Sequence, residues 1–182
     1  MGRHSSKIKV ITGRDSDLMR QLSKTGLCTN GQAKEYCGIS ADRLTKLENS
    51  GYIKTSSHFV RGENNSIIQL DKMGANYCRE EFGTTSLCSA QTNHLEHDIK
   101  LTEVYYKLEP EVQETWRHER DLIQEYHEKY PEKELTTCID ATIEINGEII
   151  AIESVGDSYN NSTIEIKEQI AESLNCSRME CV

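Results

Sequence analysis

Proline is almost missing from this chain: its 182 residues include two, Pro110 and Pro131. A Pro-rich linker or spacer protein is therefore excluded. No run of eighteen apolar residues occurs, which excludes a membrane-spanning helix. Met1 to Val10 hold no apolar core, so no secretory leader is expected. The C-x-x-C spacing is missing too, although cysteine itself is not. Cys28, Cys37, Cys78, Cys88, Cys138, Cys176 and Cys181 make an odd set. They read as reduced thiols of a cytoplasmic protein, not as a disulfide framework or a zinc site. No cofactor and no resident metal are expected.

Charge is plentiful and unevenly spread. The formal net charge is -9. Residues 1–82 carry thirteen Lys/Arg against nine Asp/Glu, net +4, and residues 83–182 carry eight against twenty-one, net -13. Such asymmetry implies two surfaces with different partners. The front suits nucleic acid; the rear repels it and suits a basic partner. Hydrophobic residues make up 36%, enough for packed cores, and the length suits two small domains.

The first module is read from about Asp15 to Phe82. Leu18, Met19 and Leu22 mark a helix stopped near Gly26. Thr29 with Gln32 three residues on is a capping box, opening a short helix from Gln32 to Cys37. Ser40 caps a third helix, Ala41 to Asn49, striped by Ala41, Leu44 and Leu47 and ended at Gly51. Tyr52-Ile53-Lys54 starts a strand, Arg61 to Asn65 turns it, and Ile67 to Leu70 returns. Asp71 opens a fourth helix ending at Gly83. Gly83 to Ala90 reads as a small-residue linker. Two helices follow, Asn93 to Leu108 and Glu111 to Tyr130, the second stopped before Pro131. Asn146-Gly147 between Thr137–Ile145 and Glu148–Val155 is a strong hairpin signal. Ile164 to Leu174 is a last helix, and Cys176 to Val182 reads as a frayed tail.

Helix, helix–turn–helix, two-stranded wing, helix is the order of a winged helix domain. The stretch Leu44-x-x-Leu47-x-x-x-Gly51-Tyr52-Ile53 resembles the end of the recognition helix in bacterial winged-helix regulators. Arg43, Thr45, Lys46 and Asn49 lie off the apolar stripe and carry donors suited to phosphates and base edges. Arg61 and Asn64 on the wing are candidates for a neighbouring groove. Asp42, Glu48 and Glu63 dilute this basic surface and leave protein contact as the alternative.

With a two-residue turn at 146–147, Ile145 faces Glu148, Ile143 faces Ile150, Ala141 faces Ile152 and Thr142 faces Ala151. Continued one step, Asp140 opposes Glu153. Two opposed carboxylates repel, so an exposed rim or a bridging cation is expected there. Val112, Trp116, Glu119, Ile123, Tyr126 and Tyr130 share one helical face, which brings Glu119 in as a third acid. Lys167 falls on the line of Ile164, Ala171 and Leu174. His94 and His97 lie three apart on a helix and read as structural.

These acids resemble the layout of the restriction-endonuclease-like PD-(D/E)-x-K fold. A winged helix preceding that fold is similar to the replication-relaxation family of Gram-positive mobile elements. The resembling stretches are His94-Leu95-Glu96-His97-Asp98, Trp116 to Leu122, Ile139-Asp140-Ala141 and Ala151-Ile152-Glu153. The resemblance implies nuclease-like acidic positions at Glu119, Asp140 and Glu153. Ile139 stands where the motif has proline and Val155 where it has lysine. Without that lysine nothing adjacent stabilises the phosphoryl charge, unless Lys167 substitutes from its helix. A vestigial site without catalysis is therefore expected, and no enzyme.

The expected fold class is α+β: a winged helix over 1–82, a linker over 83–92 and an acidic, degenerate nuclease-like α/β domain over 93–182. The length and acidic balance also look like a type II anti-CRISPR protein of a Firmicute mobile element. That resemblance implies an inhibitor of a type II CRISPR effector nuclease with its guide RNA, whose basic channels attract acid. Glu103, Glu111, Glu114, Glu125 and Glu128 are the partner-binding candidates. The alternative is a winged-helix DNA-binding replication, transfer or regulatory protein of a plasmid or phage. A homodimer is compatible with either.

Overall fold

The computed structural model describes residues 5–60, 62–90, 94–156 and 159–182. The chain is α+β and divides into two compact units, Met1–Thr102 and Glu103–Val182.

The first unit begins with α1 (Gly13–Thr25). Thr12 caps it and Asp15 completes a capping box, satisfying two amides that a helix start leaves bare. Leu18, Met19 and Leu22 form its buried stripe. β1 (Cys28–Thr29) leads into α2 (Asn30–Cys37), whose start is the expected Thr29/Gln32 box. Ser40 caps α3 (Ala41–Asn49), which buries Leu44 and Leu47. β2 (Ile53–Val60) and β3 (Glu63–Leu70) pair from Ile53↔Leu70 to Val60↔Glu63. This hairpin is longer than the sequence pattern implied, because Thr55 to His58 and Asn64 to Ser66 are polar on both faces and carry no alternation to read. The sheet order is β1-β3-β2, wholly antiparallel. Asp71 caps α4 (Lys72–Phe82). Gly74 packs so close that a Cβ there would lie 2.1 Å from the Tyr52 carbonyl oxygen.

Residues 83–90 are not a free spacer. The Cys88 amide donates to Ser23 O at 3.0 Å, and Gln69 Nε2 donates to Ala90 O at 3.4 Å. Leu95 and Ile99, from the start of α5 (Leu95–Lys107), join Leu27, Val60 and Ile67 in one apolar cluster. Thr102 Oγ1 donates to Leu27 O at 2.7 Å. These contacts tie residues 83–102 to the first unit.

The second unit holds α6 (Pro110–Glu114), β4 (Arg117–His118), α7 (Glu119–Lys129), β5 (Ala141–Ile145), β6 (Glu148–Glu153), α8 (Asn161–Ser173) and β7 (Arg178–Cys181). Its sheet order is β4-β5-β6-β7. The first three strands are antiparallel and β7 runs parallel to β6. Leu122 and Tyr126 of α7, Cys138, Ile139, Ala151, and Ile170, Ala171 and Leu174 around α8 make its core.

Three expectations need correction here. The helix read over 111–130 is broken. Thr115 Oγ1 accepts the Glu144 amide at 2.8 Å, and Arg117 and His118 pair with Thr142 and Ala141 as an edge strand. Sheet pairing outweighs helical periodicity across those few residues, so the six-residue stripe does not share one helix. The tail is not frayed: Arg178 to Cys181 form β7. The hairpin register is as read down to Ala141↔Ile152, with Asn146 at φ 54° and Gly147 at φ 82° in a type I′ turn. The ladder stops there, however, and Asp140 lies outside it.

Candidate functional site

Two places hold the candidate residues, one in each unit. The first is the outer side of α3 with the β2–β3 hairpin. Arg43 is not a free donor as expected. It forms an ion pair with Asp15, with Nε donating to Oδ1 at 2.9 Å, and Nη2 donates to Val10 O at 2.7 Å. Burial opposes charge on Asp15, but the bonds from Arg43 and Thr12 outweigh it and hold the carboxyl below its usual range. Thr45 is exposed, its hydroxyl donating to Ala41 O at 3.1 Å. Lys46 is half-buried. Asn49 is exposed and Nδ2 donates to Ser6 O at 3.3 Å. Glu48 turns to β2, where Oε1 accepts the Thr55 amide at 3.0 Å. Asn64 is exposed near the hairpin tip, while Arg61 lies outside the described residues. Phe59, opposite Asn64, is 73% exposed.

The second place is where β6 ends. Glu153 is not at an exposed rim: it is 0% exposed. Its Oε1 accepts Lys167 Nζ at 2.7 Å and the Tyr159 hydroxyl at 2.7 Å, and Oε2 accepts the Asp140 amide at 3.2 Å. Lys167, also buried, donates to the Cys138 carbonyl as well. Asp140 Oδ2 accepts the Ser154 amide at 2.7 Å. Glu119 opens α7 and is exposed. Its charge still reaches this group, because it helps raise the pKa values of Tyr159 and Cys138. The structure therefore brings Asp140, Glu153 and Lys167 together, with Glu119 acting on the group through its charge alone.

The electrostatics follow from burial. Desolvation, then repulsion from Asp140, pushes Glu153 up, while Lys167 and Tyr159 pull it back. Burial first, then Glu119, pushes the Cys138 thiol up to about 12, leaving it inert. Sequence reasoning missed Tyr159 and the Cys138 carbonyl. The only available signal was a lone aromatic in a polar loop. On Glu153, Oε1 thus has two donors and Oε2 one. Among the described residues, no group of three His, Cys, Asp or Glu has metal-holding geometry. His97 Nδ1 instead meets Asp98 Oδ1 at 3.0 Å.

The surface acids of the second unit are not alike. Glu103 pairs with Lys107 at 2.6 Å and Glu125 with Arg117 at 2.6 Å. Glu111, Glu114 and Glu128 are exposed. Comparison with known proteins matched no family model, no curated protein and no solved structure.

Proposed function

We propose that this chain is a DNA-binding accessory or regulatory protein of a mobile genetic element. Its first unit is read as a winged helix and its second as a restriction-endonuclease-like unit without catalysis. The observation that carries the reading is the pairing of the first unit: β1 sits on β3, β3 on β2, and α3 directly precedes the hairpin. In a winged helix that order presents the third helix to a major groove and the hairpin to the flanking backbone. The first unit, with fourteen Lys/Arg against eleven Asp/Glu, is net +3, whereas the second, with seven against nineteen, is net -12. Phosphate binding therefore belongs to the first unit.

For the second unit, the convergence of Asp140, Glu153 and Lys167, with Glu119 acting through its charge, supports the nuclease-like resemblance. The engagement of Glu153 by a buried ammonium, a phenol and an amide supports loss of catalysis. A divalent ion would have to share that carboxylate with the buried ammonium already on Oε1.

A second reading, inhibition of a type II CRISPR effector nuclease with its guide RNA, is favoured by one observation. The net -12 of the second unit includes the exposed residues Glu111, Glu114 and Glu128. An acidic face of this kind associates fast with a basic nucleic-acid channel.

One experiment with two arms tests both. In the first, fluorescence anisotropy follows the full chain on random duplex DNA across a salt series. The expected dissociation constant is roughly 10⁻⁴–10⁻⁶ M at physiological salt. Lys46→Ala should lower the log–log salt slope by about one. No binding even at low salt removes the DNA reading. In the second arm the protein is added to a guide-loaded effector cutting target DNA. Inhibition that is relieved by Glu111→Lys/Glu114→Lys/Glu128→Lys would put the inhibitor reading in its place.

A further inference from the structure

We infer that the segment 5–11 is a second DNA-contacting element, an arm whose Lys7 and Lys9 grip the phosphate backbone beside α3. The inference rests on the DNA-binding reading and adds to it two residues that the sequence pattern gave no reason to choose.

The segment is held along α3 by three bonds in chain order. Ser6 O accepts Asn49 Nδ2 at 3.3 Å, the Ile8 amide donates to Ser50 Oγ at 3.0 Å, and Val10 O accepts Arg43 Nη2 at 2.7 Å. Ile8 and Ile11 are half-buried, while Lys7 and Lys9 are exposed. Ile8 and Ile11 anchor the segment, whereas Val10 is 71% exposed and Lys7 and Lys9 stay accessible to solvent.

The segment flanks α3 without covering it. Arg43 and Ser50 are seven residues apart and share one flank of the helix. Glu48, held by Thr55 of β2, marks the other. Between them Asp42, Thr45 and Asn49 stay exposed. The arm, the helix and the wing thus lie side by side.

Charge makes the arm necessary. Of the two cations on α3, Arg43 is spent on Asp15, and Asp42 opposes Lys46. The helix by itself offers a phosphate almost no net positive charge. Lys7 and Lys9 restore it at the helix edge, where a groove wall would lie. Arg43 is on this view a positioning residue: it fixes the arm through Val10 and the start of α1 through Asp15.

The test is a salt series on duplex DNA with the full chain and with Lys7→Ala/Lys9→Ala. Both side chains are exposed, so the variant should fold, which circular dichroism checks. The salt slope should fall by about two, one for each lost phosphate contact. Arg79→Ala/Lys133→Ala changes net charge equally at exposed sites elsewhere and should leave the slope unchanged. If the unaltered chain binds and the arm variant keeps its slope, the arm is not a contact and the DNA reading stands. If both double variants lose slope alike, only net charge matters and the arm inference falls. If the unaltered chain does not bind duplex, the DNA reading and the arm fall together.

Discussion

Buried ions decide what single residues do here. Replacing Lys167 with Met removes the ammonium from a Glu153 carboxylate that has no access to water. Breaking one side of such a pair costs about 3–5 kcal/mol, whereas exchanging both sides for neutral groups is often tolerated. Lys167→Met should therefore lower stability in urea by that amount, and Glu153→Gln/Lys167→Met should recover much of it. Equal losses in the single and double variants would mean that the two groups do not act as a pair. Asp15 behaves in the opposite sense to Glu153, since its pKa is depressed on folding. Its contribution is fully present above its unfolded value and is lost as pH falls through the lower folded value. Asp15→Asn should cost about 2–3 kcal/mol at neutral pH through the weakened cap and lost ion pair. The difference from the unaltered protein should shrink as pH drops below about 4. A pH series of urea midpoints reads both effects.

Elements in the second unit owe their form to the sheet. The backbone between α6 and α7 leaves the helix at Thr115 because the sheet edge offers Arg117 and His118 partners on β5. β7 is a stronger case. The Ser177 amide donates to Ile149 O at 2.7 Å, and Val182 exchanges bonds with Glu153 and Val155 at 2.9 and 3.0 Å. Met179 packs against the Leu122–Ile170 core. Truncation after Asn175 should cost roughly 3–5 kcal/mol, counting about 0.5–1.5 for each ladder bond. Amides of Ile150 to Glu153 should then exchange faster with solvent, read by hydrogen–deuterium exchange. Unchanged protection there would show that β7 is dispensable.

At the scale of the molecule, charge and fold divide together. The boundary after Thr102 separates a net +3 unit from a net -12 unit. On the proposed DNA-binding reading, a duplex would be drawn by the lysines of the first unit, while the chain's net charge of -9 opposes it. Binding should therefore be weak and local, with α3, the wing and the arm carrying it.

Local chemistry was legible in the sequence wherever a few neighbouring residues settle a conformation. The Thr29/Gln32 box, the Ser40 cap, the helix start at Asp71 and the Asn146-Gly147 turn all work within four residues and stand in the structure as read, while of the stripe Ala41, Leu44 and Leu47 the two leucines are buried and Ala41 is exposed. Lys167 and Glu153 were singled out from helix and strand periodicity and do meet. Tertiary structure decided the rest. A parallel strand is reached only through a crossover, so Arg178 to Cys181 carry no local mark of their pairing. Arg43 looks like any exposed arginine until folding brings Asp15, twenty-eight residues away, beneath it. The Lys7–Lys9 arm has no secondary structure of its own to announce it; α3, more than thirty residues further on, gives it its place.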